Sequence, residues 1–512
     1  MLERLNKLIS VASESRTAGE RGFENTLTAM IESIPYFREQ PLNYGKQAVL
    51  NDPWHRHIVW ALRDNGSDKT VILYGHHDTV DVTAYGTIQH IARDPEALAN
   101  YFRSTDALPD DHIEDWLFGR GSCDMKAGLT IGISALEQGD GPNILFVSVP
   151  DEEAESAGMR YAARWLDEFK QERLLKFTLS VLLEPHMKSN PDEFPVYTGS
   201  VGKMMPFIFV KGDAVHAGEA FSGLSALSIL MEIVKAVEAN TELSDFDQGQ
   251  ITPPPTFLGL RDLKNQYDVT TPEYAAGYFN WLFLKGSAYE KLALLKKQCV
   301  WSVEDAINQY NYSFNAYLRR QGLPSFQCCQ ELTVEVLYYE ELVKRVPSDF
   351  NIEAQLAATR VAYPHLSDQM LAIEWTRILI EAVNFKTPVV VIGLLTPYYP
   401  AVSDNAYFND KLRDPLTEAL KRYRYTLKPF PYFMGISDMS YMGTPLASTT
   451  GIYENMPMLG KGYSLPAPLE GVPSICLGPW GKALHQKGER VLIRDVVKTV
   501  PGLLQTIFEA VE

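Results

Sequence analysis

The sequence predicts an α/β fold, a helix-covered and largely parallel sheet that carries an inserted α+β domain. Three observations point to it. Over residues 1–195, apolar runs with helix and strand periods alternate, as they do in a parallel sheet covered by its crossover helices. Three of the strand-like runs end on acids or a histidine. From Tyr197 the texture changes, and the alternation returns only after about residue 400.

In chain order, residues 1–12 carry apolar residues at helical spacing, and a polar turn at 13–21 precedes a second helix at 23–34. Strands are expected at 57–62 and 70–74. Residues 83–115 then interrupt the alternation, with helix starts at Asp94-Pro95-Glu96 and Pro109-Asp110-Asp111. A glycine-flanked turn, Gly119 to Gly128, leads into a helix at 129–136, and strands follow at 143–150 and 180–183. Past Tyr197, residues 203–210 read as a strand and 225–239 as an amphipathic helix. Pro253-Pro254-Pro255 marks a turn, and 275–284 reads as a strand or short helix. A helical stretch at 288–320 has an expected break at Trp301-Ser302, where Ser302 could cap the second half. Residues 332–339 are β-rich, 352–384 mostly helical and 388–395 an apolar strand. A helix at 412–424, a loop at 432–443 and a closing helix at 491–511 complete the chain. The expected division is 1–196, then an inserted 197–400, then 401–512.

The strand ends carry the chemistry. Val71-Ile72-Leu73 runs into Tyr74-Gly75-His76-His77-Asp78. Residues two apart on a strand share a face, so His76 and Asp78 point together and His77 points away. A carboxylate beside an imidazole fixes its tautomer and raises its basicity toward a metal. The turn after Gly119 holds Asp124, the strand 143–150 ends on Asp151-Glu152-Glu153, and 180–183 ends on Glu184-Pro185-His186. A last histidine, His485, stands four residues before Glu489. His76, Asp124, Glu153, Glu184 and His485 make two imidazoles and three carboxylates. That set suits two zinc-like ions, each with one histidine and one carboxylate, the third carboxylate bridging. Glu152, beside a ligand and not needed as one, is the natural general base.

In this order the motifs resemble those of the M20 family of metal-dependent amidohydrolases and peptidases. Those motifs are Gly75-His76-His77-Asp78, Gly119 to Gly128, Asp151 to Gly158, Glu184-Pro185 and Ala483 to Glu489. The segment Lys211 to Gly218 is similar to the family's lid motif, and Gly435-Ile436-Ser437-Asp438 to its late Gly-Ser-Asp loop. Within the family, the stretch before Trp116 and the lengthened middle resemble the arginine-utilisation (RocB) branch. The resemblance implies that 197–400 is an enlarged lid. It implies His76 and Glu184 on one ion, Glu153 and His485 on the other, and Asp124 between them. Asp78 would orient His76, Glu152 would be the acid/base, His216 would steady the oxyanion, and Asp124-Met125 is the candidate cis peptide. The implied reaction is hydrolysis of an amide bond in a small peptide or N-acyl amino acid by a water shared between two zinc ions, with cobalt or manganese as substitutes. A place in arginine or ornithine catabolism would follow. Other readings stay open: a catalytically silent metal- or ligand-binding relative, and a hydrolase of carbamoyl or amidine-type bonds. The Asp-x-Arg strand that several relatives carry in the lid is not evident near Tyr278 to Trp281. Arg261, Arg319, Arg320, Arg345 and Arg360 are the lid's candidates for reading a substrate carboxylate. In many relatives a short lid pairs with its twin, whereas a span of this length can supply that surface itself, so a monomer is favoured over a homodimer.

Composition bounds these readings. At 512 residues two domains are expected, and 46% hydrophobic with 22% charged residues is ordinary for a soluble enzyme. A net charge of −17 argues against nucleic acid or an anionic membrane surface as partner. The five cysteines, Cys123, Cys299, Cys328, Cys329 and Cys476, form no disulfide framework, and Cys328-Cys329 is read as a pair of ordinary thiols. The N-terminal residues lack the basic start and apolar run of a signal peptide, and a cytoplasmic location is expected.

Overall fold

The structure, a computed structural model, describes residues 1–108, 111–188, 190–264, 266–324, 332–466, 469 and 471–511. It divides into two compact units, Met1–Val201 with Val402–Pro445 and Leu465–Glu512, and Gly202–Ala401 with Leu446–Ser464. The return of 446–464 to the second unit differs from the expected 401–512 segment. Within that unit Tyr463 Oη accepts from Tyr398 N at 2.9 Å, and Asn455 Oδ1 accepts from Glu340 N at 3.2 Å.

The first unit is built on eight strands: β1 (Tyr44–Ala48), β2 (His57–Arg63), β3 (Thr70–His76), β4 (Asn143–Val149), β5 (Phe177–Leu182), β6 (Glu193–Tyr197), β7 (Thr426–Phe430) and β8 (Ser474–Cys476). Their order is β1-β2-β4-β3-β5-β8-β6-β7. The centre, β4-β3-β5-β8, is parallel, and the β1–β2, β2–β4 and β8–β6 pairs are antiparallel. Every residue of β3 and β4 is buried. This is why both read as continuous apolar runs: a strand covered on two faces has no polar side to alternate with. Because β3, β4 and β5 are parallel, their carboxyl ends share one edge, the edge at which open α/β sheets bind ligands.

Helix Ala18–Glu32 starts at Thr17, whose side chain accepts from Gly19 N. Helix Pro95–Thr105 starts at Asp94, whose carboxylate accepts from Ala97 N, as its sequence indicates. The companion start at Pro109-Asp110 lies outside the described residues, as do Cys328 and Cys329.

The second unit has a five-stranded sheet in the order Thr256–Asp262, Tyr274–Phe283, Gly202–Lys211, Val389–Tyr399, Glu335–Tyr338. Helices Ala226–Val237 and Ala288–Arg320 pack against each other. The expected break at Trp301-Ser302 does not occur. The helix starts at Ser287 with a capping box to Glu290 and runs unbroken to Arg320. Cys299, Ser302, Val303 and Ala306 are buried along one stripe of it. A serine inside a buried stripe has no reason to end the helix, so burial overrode the local signal. The expected helical stretch 352–384 is two helices, Ile352–Ala362 and Asp368–Val383, separated by a turn containing Pro364. Among the described residues, no helix is long and apolar enough to cross a membrane.

Candidate metal centre

At the shared edge the β3 strand delivers His76, fully buried. Its Nδ1 lies 3.0 Å from the backbone oxygen of Asp78 and 3.5 Å from Asp78 Oδ1. A proton held on Nδ1 by these acceptors leaves the Nε2 lone pair free to face outward. That Nε2 is 3.0 Å from Asp124 Oδ1, 3.5 Å from Glu184 Oε1 and 4.0 Å from Glu152 Oε2. His77 points the other way, as the strand period demands. It stacks on Phe23 with Nδ1 3.1 Å from Ser148 Oγ, and burial pushes its pKa down to about 3, so it is a neutral core residue.

Asp124 sits in the turn 122–126, and its peptide bond to Met125 is cis. While its Oδ1 meets His76, its Oδ2 lies 3.1 Å from His485 Nε2, and the same nitrogen is 3.1 Å from the Glu153 carboxylate. One carboxylate therefore stands between two imidazoles, each with a glutamate of its own. His76, Asp124 and Glu153 each place a ligand atom within 4.8 Å of the others.

The acidic turn after β4 is held by Asp78, whose two carboxylate oxygens accept the N–H groups of Glu152 at 3.0 Å and Glu153 at 3.1 Å, as well as the Ser15 hydroxyl at 2.6 Å. Asp151 has φ of 73°, in the left-handed region. Its buried carboxylate accepts from Arg56 Nη1 at 2.6 Å and Arg16 Nε at 3.0 Å. Arg56 is itself buried and also reaches Asp52 at 2.6 Å and Glu20 at 3.2 Å. The sequence reading missed this cluster, since nothing local signals a partner 95 residues away.

The electrostatics fit the donor set to cations. Burial pushes Glu184 up to about 8 and raises Glu152 and Glu153 as well. Hydrogen bonds that His485 donates to the Asp124 and Glu153 carboxylates raise it to about 10. Crowded carboxylates that resist ionisation, facing imidazoles that must hold protons to compensate, are groups divalent ions would satisfy directly. Nitrogen and carboxylate donors of this kind are those that zinc takes in catalytic sites.

Other singled-out residues fall elsewhere. Asp438 is buried in the turn Asp438–Tyr441, its carboxyl pushed up to about 7 by burial, with His76 and Asp78 among the charges that act on it. His186 packs edge-on against Phe194. His216 belongs to the second unit, where its Nδ1 accepts from Gly218 N at 3.1 Å. Of the lid arginines, Arg345 pairs with Glu335 and Arg360 with Asp368 at 3.5 Å. Arg261 donates to Met370 Sδ at 3.1 Å. Cys123 and Cys476 flank the donors as buried free thiols, and Cys299 is a third, in the second unit. Cys476 Sγ donates to Glu184 O at 3.8 Å. The last approach to Glu184 needs a glycine, because a Cβ at Gly478 would lie 2.1 Å from Glu184 O.

Residues 72–468 match the profile of Peptidase family M20/M25/M40. The chain is similar to the Bacillus subtilis protein YqjN, 32% identical over 533 aligned residues that cover 100% of this chain and 96% of that one. It is similar to RocB of the same organism at 28% over 532 residues, covering 97% and 92%. Among solved structures, the M20 family metallo-carboxypeptidase Sso-CP2 from Sulfolobus solfataricus superimposes with a TM-score of 0.55 at 12% identity, covering 100% of this chain and 99% of that one.

Proposed function

The chain belongs to peptidase family M20/M25/M40 and is a metal-dependent hydrolase; within that family we propose that it cleaves an amide bond in a small peptide or N-acyl amino acid at a site for two divalent ions, zinc by preference. The observation that carries this reading is Asp124, with one oxygen 3.0 Å from His76 Nε2 and the other 3.1 Å from His485 Nε2. His76 and Glu184 would hold one ion, Glu153 and His485 the other, and Asp124 both. When bound, such ions polarise the substrate carbonyl and lower the pKa of the attacking water.

The chain's own residues do the rest. Glu152, 4.0 Å from His76 Nε2 and raised by burial, is suited to take a proton from the attacking water and return it to the leaving amine. Asp78 fixes the His76 tautomer and, through the Glu152 and Glu153 N–H groups, the place of the base relative to the donors. His216 would steady the oxyanion, the role the family resemblance gives it. The resemblance to the arginine-utilisation branch of the family supports a place in arginine or ornithine catabolism. Among the described residues, three buried, free cysteines accord with a reducing cytoplasm. A monomer is favoured over a homodimer, on the length of the inserted segment.

The test is a panel assay. Zinc- and cobalt-loaded protein is offered dipeptides and the acetyl-, succinyl- and carbamoyl-derivatives of amino acids, arginine and ornithine included. Turnover of peptides or N-acyl substrates, abolished by chelator, is the expected result. Turnover of carbamoyl derivatives alone would move the scissile bond to another class, and inertness to the whole panel would remove the reading.

A further inference from the structure

Residues 83–115 take no part in the chemistry above, yet they converge on the segment that carries His485. The excursion has an apolar base in which Tyr85, Leu98 and Phe102 pack with Trp116, Phe118 and Leu492. Strand Arg490–Leu492 in turn pairs antiparallel with Trp116–Phe118. Its polar groups reach over segment 481–490 at successive points. The Asp111 carboxylate accepts from Lys482 Nζ at 2.6 Å and also from Arg490. The Tyr101 hydroxyl accepts from Lys487 Nζ at 2.7 Å, the ammonium standing 4.6 Å from the ring centre.

Arg120, buried, completes the grip. Its backbone N donates to Ala92 O at 2.8 Å and its guanidinium lies 5.2 Å from the Tyr85 ring, so it is seated on the excursion. From there Nη2 donates to His485 O at 3.2 Å and Nη1 to the buried Glu489.

This segment needs holding. Ala483 and His485 have φ of 55° and 60°, a left-handed conformation that residues other than glycine rarely adopt. Such conformations persist only where the surroundings over-determine them. The His485 side chain is also 49% exposed, whereas the carboxylates it meets, Asp124 and Glu153, are 8% and 6% exposed. Packing around the imidazole therefore cannot fix it; contacts along the backbone to either side must.

We propose that residues 83–108 and 111–115 are a clamp that presets His485 for its ion, with Asp111 and Tyr101 as positioning residues that never touch metal or substrate. The inference rests on the reading of His485 as a ligand, and its test separates the two.

The full-length protein is stripped of metal and titrated with zinc by calorimetry, using parent, His485→Ala, Asp111→Asn, Asp111→Glu, Tyr101→Phe and Lys487→Met. His485→Ala should lose one of two ions. Asp111→Asn and Tyr101→Phe should weaken that same ion by about 10- to 100-fold, the usual effect of removing a group that orients a ligand, and leave the other ion unchanged. Asp111→Glu should restore part of the loss. Tyr101→Phe keeps the ring and its packing, so it reads the clamp even if Asp111→Asn fails to fold, and Lys487→Met removes the same contact from the other side. If His485→Ala still binds two ions as the parent does, the ligand reading falls and the clamp with it. If His485→Ala loses an ion while Asp111→Asn, Tyr101→Phe and Lys487→Met bind both normally, the ligand reading stands and the clamp is overturned. Equal weakening of both ions also overturns it, because the excursion would then be general scaffold.

Discussion

Replacing Arg56 by methionine should destabilise the first unit by about 4 kcal/mol, nearly a thousandfold in its folding equilibrium. Removing one partner of a buried ion pair typically costs about 3–5 kcal/mol, because the other charge is left uncompensated. Here one guanidinium serves Asp52 at 2.6 Å, Asp151 at 2.6 Å and Glu20 at 3.2 Å. Asp151 keeps a second cation in Arg16, but Arg16 is 41% exposed and compensates only in part. The methionine fills most of the volume, so the loss is electrostatic and not a cavity. The deficit should also depend on pH, and its sign follows from the carboxylates. Burial pushes Asp52 up, but the hydrogen bonds from Arg56 outweigh it and hold its pKa below the ordinary value. A lowered folded pKa gives stability that is present above the unfolded value, near 3.9, and lost as the pH falls through the folded one. Glu20 is the opposite case. Burial raises it to about 8, so the stability tied to its protonated form is lost as pH rises through that value, and Arg56 offsets the loss. The deficit should therefore shrink as the pH falls below about 4, be large at pH 7 and grow further above pH 8, where Glu20 ionises beside the missing guanidinium. Urea unfolding of parent and Arg56→Met across about pH 3 to 9 measures it. A variant within about 1 kcal/mol of the parent at pH 7, or a deficit flat across that range, would refute the reasoning.

Purified protein should bind two zinc ions per chain and lose activity to chelator, regaining it on zinc addition; metal analysis after reconstitution that finds none would remove the metal reading. Glu152→Gln should keep both ions yet lose turnover by about 10²-fold or more, whereas Glu153→Gln should weaken one ion; the reverse pattern in paired titrations and rate measurements would mean that the roles along Asp151-Glu152-Glu153 are exchanged. Mixing His216→Ala with Glu152→Gln chains tests subunit sharing. A monomer that uses its own His216 leaves the mixture as inactive as its parts, and recovery of activity would assign His216 to a partner chain's reaction.

Much of the fold was legible because β3 and β4 are buried along their whole length, and β5 nearly so, which makes them read as largely apolar runs. Their common polarity then implied that His76, Glu153 and Glu184 meet at one edge. Segment 446–464 was not legible. It joins the second unit through Tyr463 against Tyr398 and Asn455 against Glu340, single contacts that leave no periodic trace. The same holds for Arg56 and for Asp111. Arg56 meets Asp151 and Glu20, and Asp111 meets Lys482 and Arg490, all far off in sequence, and one charged residue in a chain with 22% charged residues does not announce such partners. The double use of Asp78 was half legible. Its place two residues after His76 indicated the imidazole, but its grip on the Glu152 and Glu153 amides depends on the pairing of β3 with β4.

The buried thiols give each unit an internal clock. Cys123 and Cys476 lie beside the donors in the first unit, and Cys299 lies inside the long helix of the second. All three are shut off from solvent, and burial raises their pKa values. A thiolate reagent cannot reach such groups until the surrounding structure opens, so the rate of modification counts opening events. With Cys328 and Cys329 replaced by serine, mass spectrometry could time label arriving at Cys299 separately from label at Cys123 and Cys476. Zinc that binds the first unit should then slow the Cys123 and Cys476 clocks and leave Cys299 running at its metal-free rate, unless the two units open as one.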